Sequence, residues 1–230
     1  MPDEDVPPVA PAPPLGARLR EQLRTGTLPA PIVVAVGFAA GAVPFSGVGA
    51  LLVAGVDLRR VGTGTVSGTG LYEVAGFGPL AVAGSLDVVK GAVGPWLAGR
   101  DRPVLAAVAA AASVTGHNWS PWLRGAGGRG VAPSLGALLA IAPEGAVVLG
   151  LALGLGRLVR RTGLAVALAA VGLPVVLGAR RGRHGALAAT AVVAPMLAKR
   201  VAGNRPLPAE QRLGHAVHRL LFDSDAPMAG

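Results

Sequence analysis

His117 is followed closely by the glycine-dense run Gly127-Gly128-Arg129-Gly130. Consecutive glycines let a backbone turn its N–H groups into a concave seat for an anion, and a guanidinium grips phosphate oxygens in pairs. The same residues also suit a tight turn at a membrane surface, with Arg129 resting on lipid headgroups. Upstream, Thr63, Gly64, Thr65, Ser67 and Thr69 combine hydroxyl groups with a backbone that a ligand can approach closely. Such a loop fits phosphate or glycerol recognition, and equally the caps and turns that Ser and Thr commonly make. The imidazole of His117 can deprotonate or orient an attacking hydroxyl. With Trp119 and Trp122 beside it, His117 also fits an aromatic belt at the headgroup level. Asp87 and Lys90 stand three positions apart on one helical pattern and can pair, as a functional couple or as a structural bridge.

The elements that must position these groups are apolar. Hydrophobic residues make up 52% of the chain and charged residues 14%, and the mean hydropathy is +0.56, which leaves too little polar surface to face water. Small residues supply much of that mass, 35 of them glycine, and small residues let membrane helices approach closely. The expectation is an all-α, polytopic membrane protein of about seven short transmembrane or half-spanning helices. Apolar runs fall at 31–56, 74–97, 103–115, 131–142, 145–156, 163–178 and 185–198, the first of them kinked at Gly41-Ala42-Val43-Pro44-Phe45. Residues 1–29 read as an acidic, Pro-rich disordered tail with a short amphipathic segment at 15–24, residues 30–203 as the membrane domain, and 204–230 as a basic cytoplasmic tail. An outside N-terminus puts both glycine-rich loops, the Arg157 to Arg161 cluster and the C-terminus on the cytoplasmic side. Arg180, Arg181 and Arg183 then fall outside, against the positive-inside tendency.

Other chemistries find little support. Without cysteine there is no disulfide, thiolate nucleophile or Cys-based metal site, and neither a metal nor a cofactor is expected. The net charge of +9 comes from basic clusters at the ends of apolar runs, which suits anionic headgroups better than nucleic acid. His218 and Asp223 match a His-x4-Asp acyltransferase pattern, but within a short basic tail that has no domain around it.

In these loops the sequence resembles the bacterial acyl-phosphate:glycerol-3-phosphate acyltransferases of the PlsY type, over residues 41–203. Gly41-Ala42-Val43-Pro44-Phe45 is similar to that family's Gly-Ser-x-Pro-Phe helix, with Val56-Asp57-Leu58-Arg59 after it. The family's Gly-Ser-Gly-Asn-x-Gly-Ala-x-Asn lies without a gap over 62–70, and its Asp-x-x-Lys-Gly appears as Asp87-Val88-Val89-Lys90-Gly91. Gly-His and, later, Lys-Gly-Gly-Lys-Gly-Val-Ala look like Gly116-His117 and Ala126-Gly127-Gly128-Arg129-Gly130-Val131-Ala132 at identical spacing. A third segment, Gly163-Leu164-Ala165-Val166, is a weaker match. The departures fall on polar positions: Thr65 and Gly70 replace asparagines, Ala126 and Arg129 replace lysines, and Gly163 replaces a serine.

The resemblance implies acyl transfer from acyl phosphate to glycerol 3-phosphate, giving lysophosphatidate for phospholipid synthesis at the cytoplasmic face of the cell membrane. It casts His117 as the catalytic group. Thr63, Gly64, Thr65, Ser67, Thr69, Lys90, Gly127, Gly128, Arg129 and Gly130 become substrate-binding candidates. The partners are the two phosphate substrates and membrane lipid. A non-catalytic paralogue binding lipid or a membrane partner, and a small transporter, are the competing readings.

Overall fold

The computed structural model describes residues 27–204 and 212–222, together with Pro14 and Gly16. The expected tail at 1–14 and the amphipathic segment at 15–24 otherwise lie outside the described residues, as does Asp223.

The described chain is all helical. Proline sets many of the boundaries. Helix α1 (Ala30–Ala42) carries Pro31 in its first turn, where a missing N–H costs nothing, and it ends at Val43, because Pro44 can neither donate to the helix ladder nor fit the preceding turn. Helix α2 (Phe45–Ala54) resumes directly, so the expected kink is a clean break between two helices. Helix α3 (Gly68–Ala75) occupies a stretch expected to be partly loop. It forms because the Ser67 hydroxyl accepts from the Gly70 N–H at 3.3 Å, an N-cap. Helix α4 (Phe77–Ala98) follows, then α5 (Pro103–Asn118), whose last turn carries His117 beyond the expected end of that run. Helices α6 (Val131–Ile141) and α7 (Pro143–Leu158) meet at Ala142, and α8 (Thr162–Ala202) comes next.

The runs expected at 163–178 and 185–198 are the arms of α8, joined at Gly182, where φ is 62° and ψ is −151°. Helix continues almost to the joint on both sides, so Arg180, Arg181 and Arg183 sit in helical turns rather than in a long loop. Arg181 pairs there with Glu144 and donates to the Ile141 carbonyl at 2.8 Å, capping α6. Taking α1 with α2 as one broken unit, and counting α4, α5, α6, α7 and the two arms of α8, gives seven apolar segments.

Three helical stretches among the described residues are long and apolar enough to cross a membrane: Ala30–Ala54, Phe77–Ala98 and Thr162–Ala202. Their outer faces are greasy. Leu168, Val171 and Val175 are 64%, 65% and 73% exposed and recur on one face of α8, a stripe suited to lipid. The interior core gathers Val114, Leu138, Leu149, Leu173, Val192 and Met196 from α5 to α8.

Close backbone approach holds these thin helices together. A Cβ built on Gly136 of α6 would run into the Val88 carbonyl of α4, and one on Gly91 of α4 would run into the Pro133 carbonyl of α6. These glycines bring α4, with Asp87 and Lys90, directly against the helix that follows Arg129. Gly136→Val is therefore expected to force α4 and α6 apart and destabilise the protein by about 1–3 kcal/mol, seen as a lower thermal midpoint in detergent. Gly172→Ala, where a Cβ meets nothing within 4 Å, is the control and should melt at or above the wild-type temperature. Equal midpoints for the two variants would show that the close approach is dispensable.

Candidate functional site

The two glycine-rich loops meet at one end of the bundle. Asp57 opens the first. Its carboxylate accepts from the backbone N–H of Arg59 at 3.0 Å and from its guanidinium at 2.9 and 2.8 Å. These hydrogen bonds from Arg59 hold the Asp57 carboxyl below its usual range and raise the Arg59 guanidinium above its own. The loop then runs through Thr63, whose hydroxyl donates to that of Thr65 at 2.8 Å.

The second loop is stitched to the first through backbone and one amide. The Val66 N–H donates to the Gly127 carbonyl at 3.1 Å. The Asn204 side chain donates to Gly64 at 3.0 Å and to Gly127 at 2.8 Å, and accepts from the Gly127 N–H at 3.3 Å. The Gly128 N–H donates to the His117 carbonyl at 3.2 Å. The N–H groups of Gly127 and Gly128 are thus engaged inside the protein, which corrects the expectation of an open nest of glycine amides. The glycines are needed for space instead. A Cβ on Gly128 would enter the His117 ring, and one on Gly127 would meet the His117 and Asn118 carbonyls.

Arg129, only 6% exposed, emerges from this stitching as the guanidinium at the centre. Its Nε donates to the Thr65 hydroxyl at 3.2 Å and its Nη1 to the Arg200 carbonyl at 3.5 Å. Thr65 and Arg129, two of the departures from the resembled motifs, therefore touch each other across 64 positions of sequence. They line a cavity of about 1450 Å³ together with Thr63, Ser67, His117 and Arg200. Thr69 and Gly130 border it too, whereas Gly64, Gly127, Gly128 and Lys90 do not. The cavity continues along Leu80 and Val88 of α4, Leu135 of α6 and Leu153 of α7, an apolar channel whose lining also includes Arg157 and Arg160.

Beneath the loops lies a buried charged cluster. The Lys90 ammonium is 2.6 Å from Asp87 Oδ1 and donates to the Val43 carbonyl at 2.5 Å, while the Ser46 hydroxyl donates to Asp87 Oδ2 at 2.6 Å. Asp87 Oδ1 also faces His117 Nδ1 at 3.9 Å. Lys90 is thereby committed to Asp87 and the break between α1 and α2 rather than turned into the cavity, so its expected contact with substrate becomes a supporting one.

A family model described as glycerol-3-phosphate acyltransferase matches residues 31–204. The chain belongs to that family. Its relatives include a glycerol-3-phosphate acyltransferase of Synechococcus sp. (strain CC9902), 34% identical over 169 residues, which are 72% of this chain and 84% of the relative. One from Myxococcus xanthus (strain DK1622) is 38% identical over 118 residues, 50% of this chain and 62% of the relative. The fold is similar to the crystal structure of PlsY (YgiH), an integral membrane glycerol 3-phosphate acyltransferase, in its glycerol 3-phosphate form. The TM-score is 0.69 at 27% identity, covering 87% of this chain and 96% of PlsY. With this glycerol-3-phosphate acyltransferase family fold and its apolar outer face, the chain is an integral membrane protein.

Three residues of the site escaped the reading of the sequence: Ser46, Arg200 and Asn204. Arg200 reads as half of a basic pair at a helix end, Ser46 as part of a kink, and Asn204 as the start of the basic tail. In this family member each owes its role to a partner at least 37 positions away.

Proposed function

We propose that this protein transfers a fatty acyl group from acyl phosphate to a hydroxyl of glycerol 3-phosphate at the cytoplasmic face of the membrane, releasing lysophosphatidate and inorganic phosphate. The observation that carries the reading is the meeting of both motif loops in one cavity, with Arg129 bonded to Thr65 at the polar end and an apolar channel leading away from it. Arg129, Thr63, Thr65, Ser67 and Thr69 form the set that binds the phosphate and glycerol ends, Gly130 lets α6 begin against them, and the channel takes the acyl chain.

The donor arrives activated, so the protein needs no covalent intermediate. The acceptor oxygen attacks the acyl carbon, the bond from that carbon to the phosphate oxygen breaks, and phosphate leaves with the bonding electrons. His117 takes the hydroxyl proton and passes it to the departing phosphate, its Nδ1 held facing the Asp87 carboxylate at 3.9 Å. Arg129 offsets the negative charge that grows on the phosphate. Lys90, Gly64, Gly127 and Gly128 shape the site from behind.

Purified protein in lipid or detergent is expected to convert palmitoyl phosphate and glycerol 3-phosphate to lysophosphatidate and to ignore acyl-CoA. Folded protein that binds glycerol 3-phosphate yet turns over with neither donor would make the non-catalytic paralogue the correct reading. The cysteine-free chain also makes topology directly testable. Single cysteines at Trp122, 73% exposed beside the second loop, and at the C-terminus should both react from the cytoplasmic side. Labelling of Trp122→Cys from the outside would remove the proposed orientation.

A further inference from the structure

The family match stops at residue 204, and the chain continues. A further helix, α9 (Arg212–Phe222), packs on the final turns of α8. Two guanidinium groups tie the pair in opposite directions. Arg200 of α8 donates through Nη1 to the Leu220 carbonyl of α9 at 3.1 Å and to the Gly163 carbonyl at 2.8 Å. Arg219 of α9 donates through Nη1 to the Ala202 carbonyl of α8 at 3.0 Å. Each arginine thus serves the C-terminal turn of the other's helix, where carbonyls lack partners and the helix dipole is negative. Both are buried, 2% and 3% exposed, and Gly203 leaves the room that the Arg219 guanidinium fills.

Arg200 is also part of the site. It is among the residues that line the cavity, and its carbonyl accepts from Arg129. A long arginine side chain loses rotamer freedom when it is fixed, so an arginine already held on two carbonyls binds an anion at less entropic cost than a free one. We propose that α9 is a working part of the anion pocket: by clamping Arg200 it sets the affinity for the phosphate-bearing acceptor, from outside the segment that matches the family. Arg219 is on this account a positioning residue acting through Arg200. The proposal rests on reading the cavity as the glycerol 3-phosphate site.

The test uses the full chain and compares wild type, Arg219→Ala, Arg219→Lys, Arg200→Gln and the double variant Arg200→Gln/Arg219→Ala. Glycerol 3-phosphate affinity is measured by calorimetry, KM for each substrate by turnover, and folding by thermal midpoint. Arg219→Ala is expected to weaken glycerol 3-phosphate binding about fivefold while changing the KM for palmitoyl phosphate less than about twofold, with Arg219→Lys restoring part of the loss. In the Arg200→Gln background, Arg219→Ala should add less than about twofold, because its route to the ligand is already gone. Unchanged affinity in Arg219→Ala, or effects that multiply fully in the double variant, overturns the proposal. So does an equal loss for both substrates accompanied by a lower midpoint, which marks a merely structural helix. Wild-type protein that does not bind glycerol 3-phosphate removes the cavity reading and the proposal together. Wild-type binding with an indifferent Arg219→Ala removes only the proposal.

Discussion

Arg129→Gln is expected to lower kcat/KM for glycerol 3-phosphate by about 10- to 100-fold, the effect of losing charge-assisted hydrogen bonds worth about 1.5–3 kcal/mol. Glutamine is shorter than arginine but carries its amide nitrogen where Nε stands, so it can still bond the Thr65 hydroxyl, and the loops stay joined through Val66, Gly127 and Asn204. What disappears is the charge, together with the Nη1 contact to the Arg200 carbonyl. Arg129→Lys separates charge from geometry: it keeps the cation, loses the planar fork, and should fall between glutamine and wild type. Kinetics with both substrates varied, alongside calorimetric binding of glycerol 3-phosphate, give the comparison. Wild-type kinetics in the glutamine variant would reject Arg129 as a ligand and leave the family fold in place.

A second large effect is expected from the charges below the loops. Asp87→Ala strands the Lys90 ammonium, 4% exposed, beside a single carbonyl, and removing one partner of a buried pair typically costs about 3–5 kcal/mol. The thermal midpoint should drop sharply, and activity with it, since His117 loses the carboxylate that faces Nδ1. Pairing the change with Lys90→Met removes the stranded charge and should recover most of the midpoint but not the turnover. That split between stability and activity is the informative result. If single and double variants melt together, the cost lies elsewhere than in the unpaired lysine.

Much of the architecture was legible because lipid imposes simple demands on sequence. Apolar runs mark the helices, and Pro44, Pro103 and Pro143 sit where helices begin or break. The errors fell where a single side chain or glycine decides the matter. Ser67 caps α3 and turns part of an expected loop into helix, and Gly182 reverses α8 within helical flanks that look interrupted in sequence. The site was legible as two loops and a histidine, since these are local patterns. Its stitching was not. Asn204 joins Gly64 to Gly127, Arg200 reaches Gly163, and Ser46 reaches Asp87, pairings that leave no local periodicity to read. The glycine amides failed as an anion seat for a related reason: which way an N–H points depends on a neighbouring carbonyl, here that of His117, and not on the glycine itself.

The break at Val43-Pro44 has an electrostatic consequence. A proline that stops a helix leaves carbonyls at its end without a partner in the ladder, and the aligned peptide units make that end negative. In this bundle the end of α1 points at Lys90, and the Val43 oxygen is the second ligand of the ammonium. The main chain thus acts as a fractional anion beside a whole one, sharing with Asp87 the task of neutralising a lysine inside a membrane protein. Healing the break with Pro44→Ala would let the carbonyls turn back along a continuous helix, and the lysine would lose its ligand with no acidic residue having been touched.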